Sequence, residues 1–128
     1  MNNQQRDKQR ATQRRAIMGA VATALWVSFT AAAHPLSREE CSEGSDFIKN
    51  AALSRENGMD GMSFLAQTIA DLAAIKSFPP SLRWFVQDQT DEDYLLKAVA
   101  DVFPNPREPL AHQSHFFGDC VTRTSAGD

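Results

Sequence analysis

The chain has 128 residues, 42% of them hydrophobic, with sixteen acidic and thirteen basic side chains, a formal charge of −3 and two cysteines. That length allows one small domain behind a leader. The acidic balance argues against nucleic acid or an anionic membrane as partner, because phosphate binding relies on clustered Lys and Arg.

Residues 1–15 are polar and basic, with Arg6, Lys8, Arg10, Arg14 and Arg15 against one acid, Asp7. Residues 16–33 carry no charge and end in Ala31-Ala32-Ala33, the small-x-small pattern that a signal peptidase accepts. The sequence therefore predicts a signal peptide over residues 1–33 and a mature chain starting at His34. An uncleaved anchor is the alternative, since eighteen uncharged residues approach the length that spans a bilayer. The Ala-rich end, followed at once by a helix-start signal, suits cleavage better. Gln13-Arg14-Arg15-Ala16-Ile17-Met18 has a partial twin-arginine form, but ordinary export is the simpler expectation. Five of the thirteen bases and one of the sixteen acids leave with the leader, so the mature chain carries eight bases, fifteen acids and a charge of −7. The expected location is periplasmic or secreted, with no membrane contact after cleavage.

The first predicted helix begins at Ser37, where Ser37 and Glu40 form a Ser-x-x-Glu capping box and Leu36 stands ready to staple against Cys41. Cys41, Phe47, Ile48, Ala51 and Ala52 share its apolar side, and Gly58 supplies the stop. Asp60 caps a second helix with the stripe Met62, Leu65, Ile69, Leu72 and Ala73, ended by Pro79-Pro80. A short third helix is expected over residues 81–87, placing Leu82, Phe85 and Val86 on one side. Thr90 is expected to cap a fourth, with Asp91, Glu92 and Asp93 at the positive end of its dipole and Leu95, Ala98, Val99, Val102 and Phe103 buried. A last helix runs from about Leu110 to Val121, with Leu110, Ser114, Phe117 and Val121 inward and Cys120 on the flank. No segment of the mature chain has the period-two alternation of a strand. The expected architecture is an all-α bundle of four or five short helices over residues 34–121, with a flexible tail at 122–128.

In an exported chain of this size, Cys41 and Cys120 read as a disulfide joining the first helix to the last. Two free thiols, or one reactive cysteine beside a histidine, are the alternatives. Glu40-Cys41-x-Glu43, Phe47-Ile48-x-Asn50-Ala51-Ala52, Arg55, Gly58, Pro80-x-Leu82-Arg83-Trp84-Phe85 and Phe116 ahead of Cys120 resemble a group of small uncharacterised exported proteins of Gram-negative bacteria. The resemblance spans residues 40–120 and implies export and a disulfide-clipped helical fold rather than any activity.

Three groups of residues have chemical or binding potential. His112, His115 and Asp119, at i, i+3 and i+7, project from one helix face, and His34 as a new N-terminus would add an amine and an imidazole, a set suited to Cu or Zn. A solvated helix face is the plainer reading of that trio. Arg83 and Trp84 are residue types common at binding hot spots, although a small domain also needs its Trp for the core. Asp88, Asp91, Glu92 and Asp93 lack the alternating ligands and glycine of a calcium loop and read as a helix start. No Gly-x-Ser-x-Gly elbow, His-Glu-x-x-His or phosphate loop occurs, so no enzyme activity and no cofactor are expected. The leading expectation is a non-enzymatic interaction module, an adaptor, inhibitor or immunity-type protein whose partner is another protein. An acid-stress or holdase chaperone and a metal-binding protein are the alternatives.

Overall fold

The computed structural model describes residues 35–126. Four helices, α1 (Arg38–Glu56), α2 (Gly61–Ile75), α3 (Gln89–Val102) and α4 (Pro109–Ser125), and a 3₁₀ turn at Pro80–Leu82 build an all-α fold with no strand among the described residues. No helix among them is long and apolar enough to cross a membrane.

The start of α1 is the capping box read from the sequence: Ser37 Oγ accepts from the Glu40 N–H at 3.1 Å, and Glu40 Oε2 accepts from the Ser37 N–H at 2.6 Å. Its end is a Schellman turn. Met59 N–H donates to Ser54 C=O and Gly58 N–H to Arg55 C=O, which requires the left-handed φ of 89° at Gly58. Between these ends α1 buries Cys41, Gly44, Ser45, Ile48, Ala51 and Ala52, almost all of them small. Small side chains on one stripe let a neighbouring helix come close, and that neighbour is α4.

The two helices run antiparallel. Cys41 is bonded to Cys120 with Cα atoms 5.6 Å apart, Gly44 lies against Phe116, Asp46 accepts a hydrogen bond from Gln113, and Arg55 reaches His112 at the other end. At Gly44 an added Cβ would fall 2.6 Å from the Phe85 ring and 2.8 Å from that of Phe116. Hydrogen is the only side chain that fits there. The buried face of α4 is therefore His112, Phe116 and Cys120, at i, i+4 and i+8. This corrects the expected face of Leu110, Ser114, Phe117 and Val121, for Leu110 is 66% exposed and Phe117 and Val121 are half-buried. The disulfide explains the rotation: Cys120 must point directly at α1, and Phe116, one turn earlier, turns inward with it.

Three further expectations are revised. Only Pro80–Leu82 makes a turn where a helix over residues 81–87 was expected, and Leu82 is 70% exposed. The Arg83 guanidinium holds the carbonyls of Lys76, Phe78 and Gln87, and Asp91 takes the Gln87 N–H, so these groups are engaged outside any helical ladder. The cap of α3 is Asp88, whose Oδ1 accepts from the Asp91 N–H at 3.0 Å, two residues before Thr90. The helix α4 continues through Ser125, so the first four residues of the expected tail are helical, tied down by Arg123 stacked 4.1 Å over the Tyr94 ring. The predicted signal peptide and His34 lie outside the described residues.

The core is completed by Leu72 of α2, Phe85 and Val86 of the connecting segment, and Leu95, Val99 and Val102 of α3. Phe85 is in ring contact with Trp84, Tyr94 and Phe116, and so bridges the connecting segment to α3 and α4.

Replacing Gly44 by Ala is expected to cost about 1–3 kcal/mol through overpacking against Phe85 and Phe116. The helical Gly118, with nothing within 4 Å of an added Cβ, is expected to gain about 0.5–1 kcal/mol as Ala. Urea unfolding of the two variants checks the contrast, and equal effects would contradict the close approach at Gly44.

Candidate functional site

Arg83 and Trp84, singled out in the sequence for contact with a partner, are engaged within the fold. Arg83 donates to Phe78 C=O at 2.9 Å and Lys76 C=O at 3.0 Å, which closes the chain between α2 and α3. Trp84 is half-buried, its ring 5.3 Å from that of Phe47 and 5.7 Å from that of Phe85. Both residues are held by contacts within the fold, and each keeps part of its surface accessible.

His112, His115 and Asp119 line one groove between α3 and α4, about 920 Å³ in volume, floored by Ile48, Tyr94 and Phe116. Their environments differ sharply. His112 is buried, and its Nε2 lies 3.1 Å from Asn105 C=O and 3.4 Å from Arg55 Nη1. A carbonyl only accepts and a guanidinium only donates, so the short contact makes Nε2 the N–H that donates to Asn105. Arg55 itself donates to the carbonyls of Val102, Asn105 and Arg107, capping the end of α3 and fixing the proline-rich turn into α4. His115 and Asp119, in contrast, form an exposed pair, Nδ1 to Oδ2 at 3.5 Å. Among the described residues no three His, Cys, Asp or Glu side chains gather to hold a metal ion. The sequence did not foretell His112 as part of a polar core, because Arg55, its neighbour, stands 57 positions away.

Tyr94, at the floor of the groove, has a buried hydroxyl with no hydrogen-bond partner among the described residues. Burial pushes its pKa from 10.0 up to about 12; the negative charge of Asp119 adds to the rise and the positive charge of Arg123 opposes it. On the other side of α3, Glu92 is buried and its Oε2 accepts from the Nζ of Lys76, the residue that ends α2, at 2.6 Å. That bond is the main polar tie between α2 and α3.

The least expected feature is on α2. The helix buries only Thr68 and Leu72, with Phe64, Leu65 and Ile75 half-buried against the core. Met62 is 79% and Ile69 47% exposed, and Ala66, Ala70 and Ala73 beside them are exposed too. The expected inward stripe of Met62, Leu65, Ile69, Leu72 and Ala73 is thus split, Leu72 facing in and Met62, Ile69 and Ala73 facing out. Of the seven large hydrophobic residues exposed among the described residues, Met62 and Ile69 lie on α2 itself, and Met59 and Phe78 lie within three residues of its ends.

No family model matches the chain, and neither a curated protein nor a solved structure is significantly similar to it.

The chain has one tyrosine, so the absorbance of tyrosinate reads Tyr94 alone. The folded protein is expected to titrate with a midpoint near 12, and the unfolded protein near 10.0. A folded-state value above the unfolded one means that the neutral phenol stabilises the fold. That contribution is complete below the unfolded value and is lost as pH rises through the folded one. A folded midpoint at the unfolded value would contradict the desolvated hydroxyl.

Proposed function

We propose that the protein is a periplasmic or secreted, non-enzymatic interaction module that holds a polypeptide against the exposed apolar face of α2, as an adaptor, inhibitor or immunity-type protein does. The observation that carries this reading is the concentration of exposed large side chains on and around one helix. Contiguous apolar surface on a folded protein costs solubility and marks contact sites, whereas singly scattered exposed hydrophobics need no explanation. Met62, the most exposed of these side chains, is unbranched and adaptable, and so suited to such a surface. The location is supported by the oxidised Cys41–Cys120 pair, since disulfides persist in oxidising compartments, and by the predicted leader.

A holdase chaperone draws on the same face. It differs in having many clients rather than one, and that difference is measurable.

A benzophenone amino acid placed at Met62, in the chain expressed in its own host, is expected to yield one discrete photo-crosslinked polypeptide adduct. The same group at Ser42, exposed near the start of α1, is expected to yield little. A smear of many adducts from Met62 favours the holdase. No adduct, or equal adducts from both positions, overturns the assignment of α2 as the contact surface.

A further inference from the structure

The face of α2 that meets solvent has a particular order of sizes. Met62, Ala66, Ile69 and Ala73 follow one another at helical spacing, large, small, large, small, on one side of the helix. Between Asp60 at the cap and Lys76 just past the last turn, the sole charge on α2 is Asp71, which lies off this strip. In a mature chain that carries seven surplus negative charges, an uncharged strip of this length lets a like-charged molecule settle with little repulsion.

We propose that a second copy of the chain covers this face, with the two α2 helices packed antiparallel about a two-fold axis. The inference rests on the reading of α2 as a contact surface and names its partner. A C2 contact is made by the same patch on both copies and must be self-complementary. Here it is. With the axis midway between Ala66 and Ile69, Met62 of one copy opposes Ala73 of the other and Ile69 opposes Ala66, a large side chain over a small one at every crossing. The same register sets Asp60 of each copy beside Lys76 of the other. Lys76 already bonds Glu92 yet keeps 45% of its side chain exposed, so it can serve both carboxylates. The opposed helices also place opposite dipole ends together. Met59, 41% exposed, comes toward Phe78 of the second copy, itself 52% exposed.

The area is sufficient for a modest dimer. With large side chains presenting about 200 Å² each, Met59, Met62, Ile69, Phe78 and Leu82 expose roughly 580 Å² per copy at their observed fractions. Two copies reach the ~1,000 Å² at which specific interfaces begin, before the intervening alanines are included.

The test is sedimentation equilibrium of the untagged protein recovered from its extracytoplasmic fraction. The native protein is expected to double its mass as concentration rises. Ala66→Lys and Ile69→Glu, each putting a charge into the strip, are expected to weaken self-association about a hundredfold while each keeps the native helical circular-dichroism spectrum. Mixing the two variants is expected to restore a dimer with one copy of each, because the introduced ammonium of one copy then meets the introduced carboxylate of the other across the axis. A native protein that stays monomeric at every concentration overturns the proposal, as does a dimer indifferent to both variants. Dissociation by each variant without recovery on mixing overturns the antiparallel register. The Met62 crosslink separates this from the broader reading. An adduct of twice the chain mass supports both, an adduct with a different polypeptide retains the contact surface and removes the second copy, and no adduct removes both.

Discussion

The close approach of α1 and α4 is the constraint on which the rest of the structure depends. It is set by one covalent bond, Cys41–Cys120, and by one missing side chain, at Gly44. The bond closes a loop with a sequence separation of 79, for which the chain-entropy account gives roughly 4–4.5 kcal/mol, a large part of the ~5–15 kcal/mol by which domains are stable at all. The glycine opens the space into which Phe85 and Phe116 fit. Together they fix the rotation of α4 and thereby decide that His112 faces in and His115 faces out.

At the opposite end of the same helix pair the closure is polar. Arg55 leaves α1 near its last turn and gathers the carbonyls at the end of α3 and in the turn that leads to α4. A guanidinium with five fixed donors can satisfy several diverging acceptors at once, and His112 supports one of them from α4. So α1 and α4 are tied at both ends, by sulfur and by arginine, and the arginine also holds the end of α3. The helix α2 is attached differently, through Leu72, a few half-buried rings and the Lys76–Glu92 bond. A fold organised around α1 and α4 has no inward place for the second apolar strip of α2, which is why that strip meets solvent.

The local features of this fold were legible in the sequence wherever a short-range rule decides them. Ser37 with Glu40, Asp60 and Gly58 mark helix ends through bonds made within a few residues, and each acts as read. The stripe Leu95, Val99 and Val102 was unambiguous because the rest of α3 is polar or only partly apolar. By contrast α2 is apolar over more than half its circumference, so periodicity shows a helix without choosing its buried side. The rotation of α4 depended on which way Cys120 points, a matter of pairing across 79 positions. Residues 83–87 depart from the expected helix for a similar reason, since the side chains of Arg83 and Asp91 hold that backbone in another shape. Of the candidate site residues, Trp84 and Arg83 were recognisable as important, but their internal contacts, to Phe47, Phe85 and the carbonyls of Lys76 and Phe78, join positions that no local pattern links. The exposed face of α2 was hidden by the assumption that an apolar stripe is a buried one.

The measurement that tests the central constraint most directly is denaturant unfolding of the oxidised protein against the Cys41→Ser/Cys120→Ser variant at neutral pH. If the α1–α4 clasp governs the fold, the variant is expected to lose roughly 4 kcal/mol, or to be unfolded without denaturant. A loss below about 1 kcal/mol, with the helical signal intact, would show that packing alone holds α1 to α4 and would contradict the account.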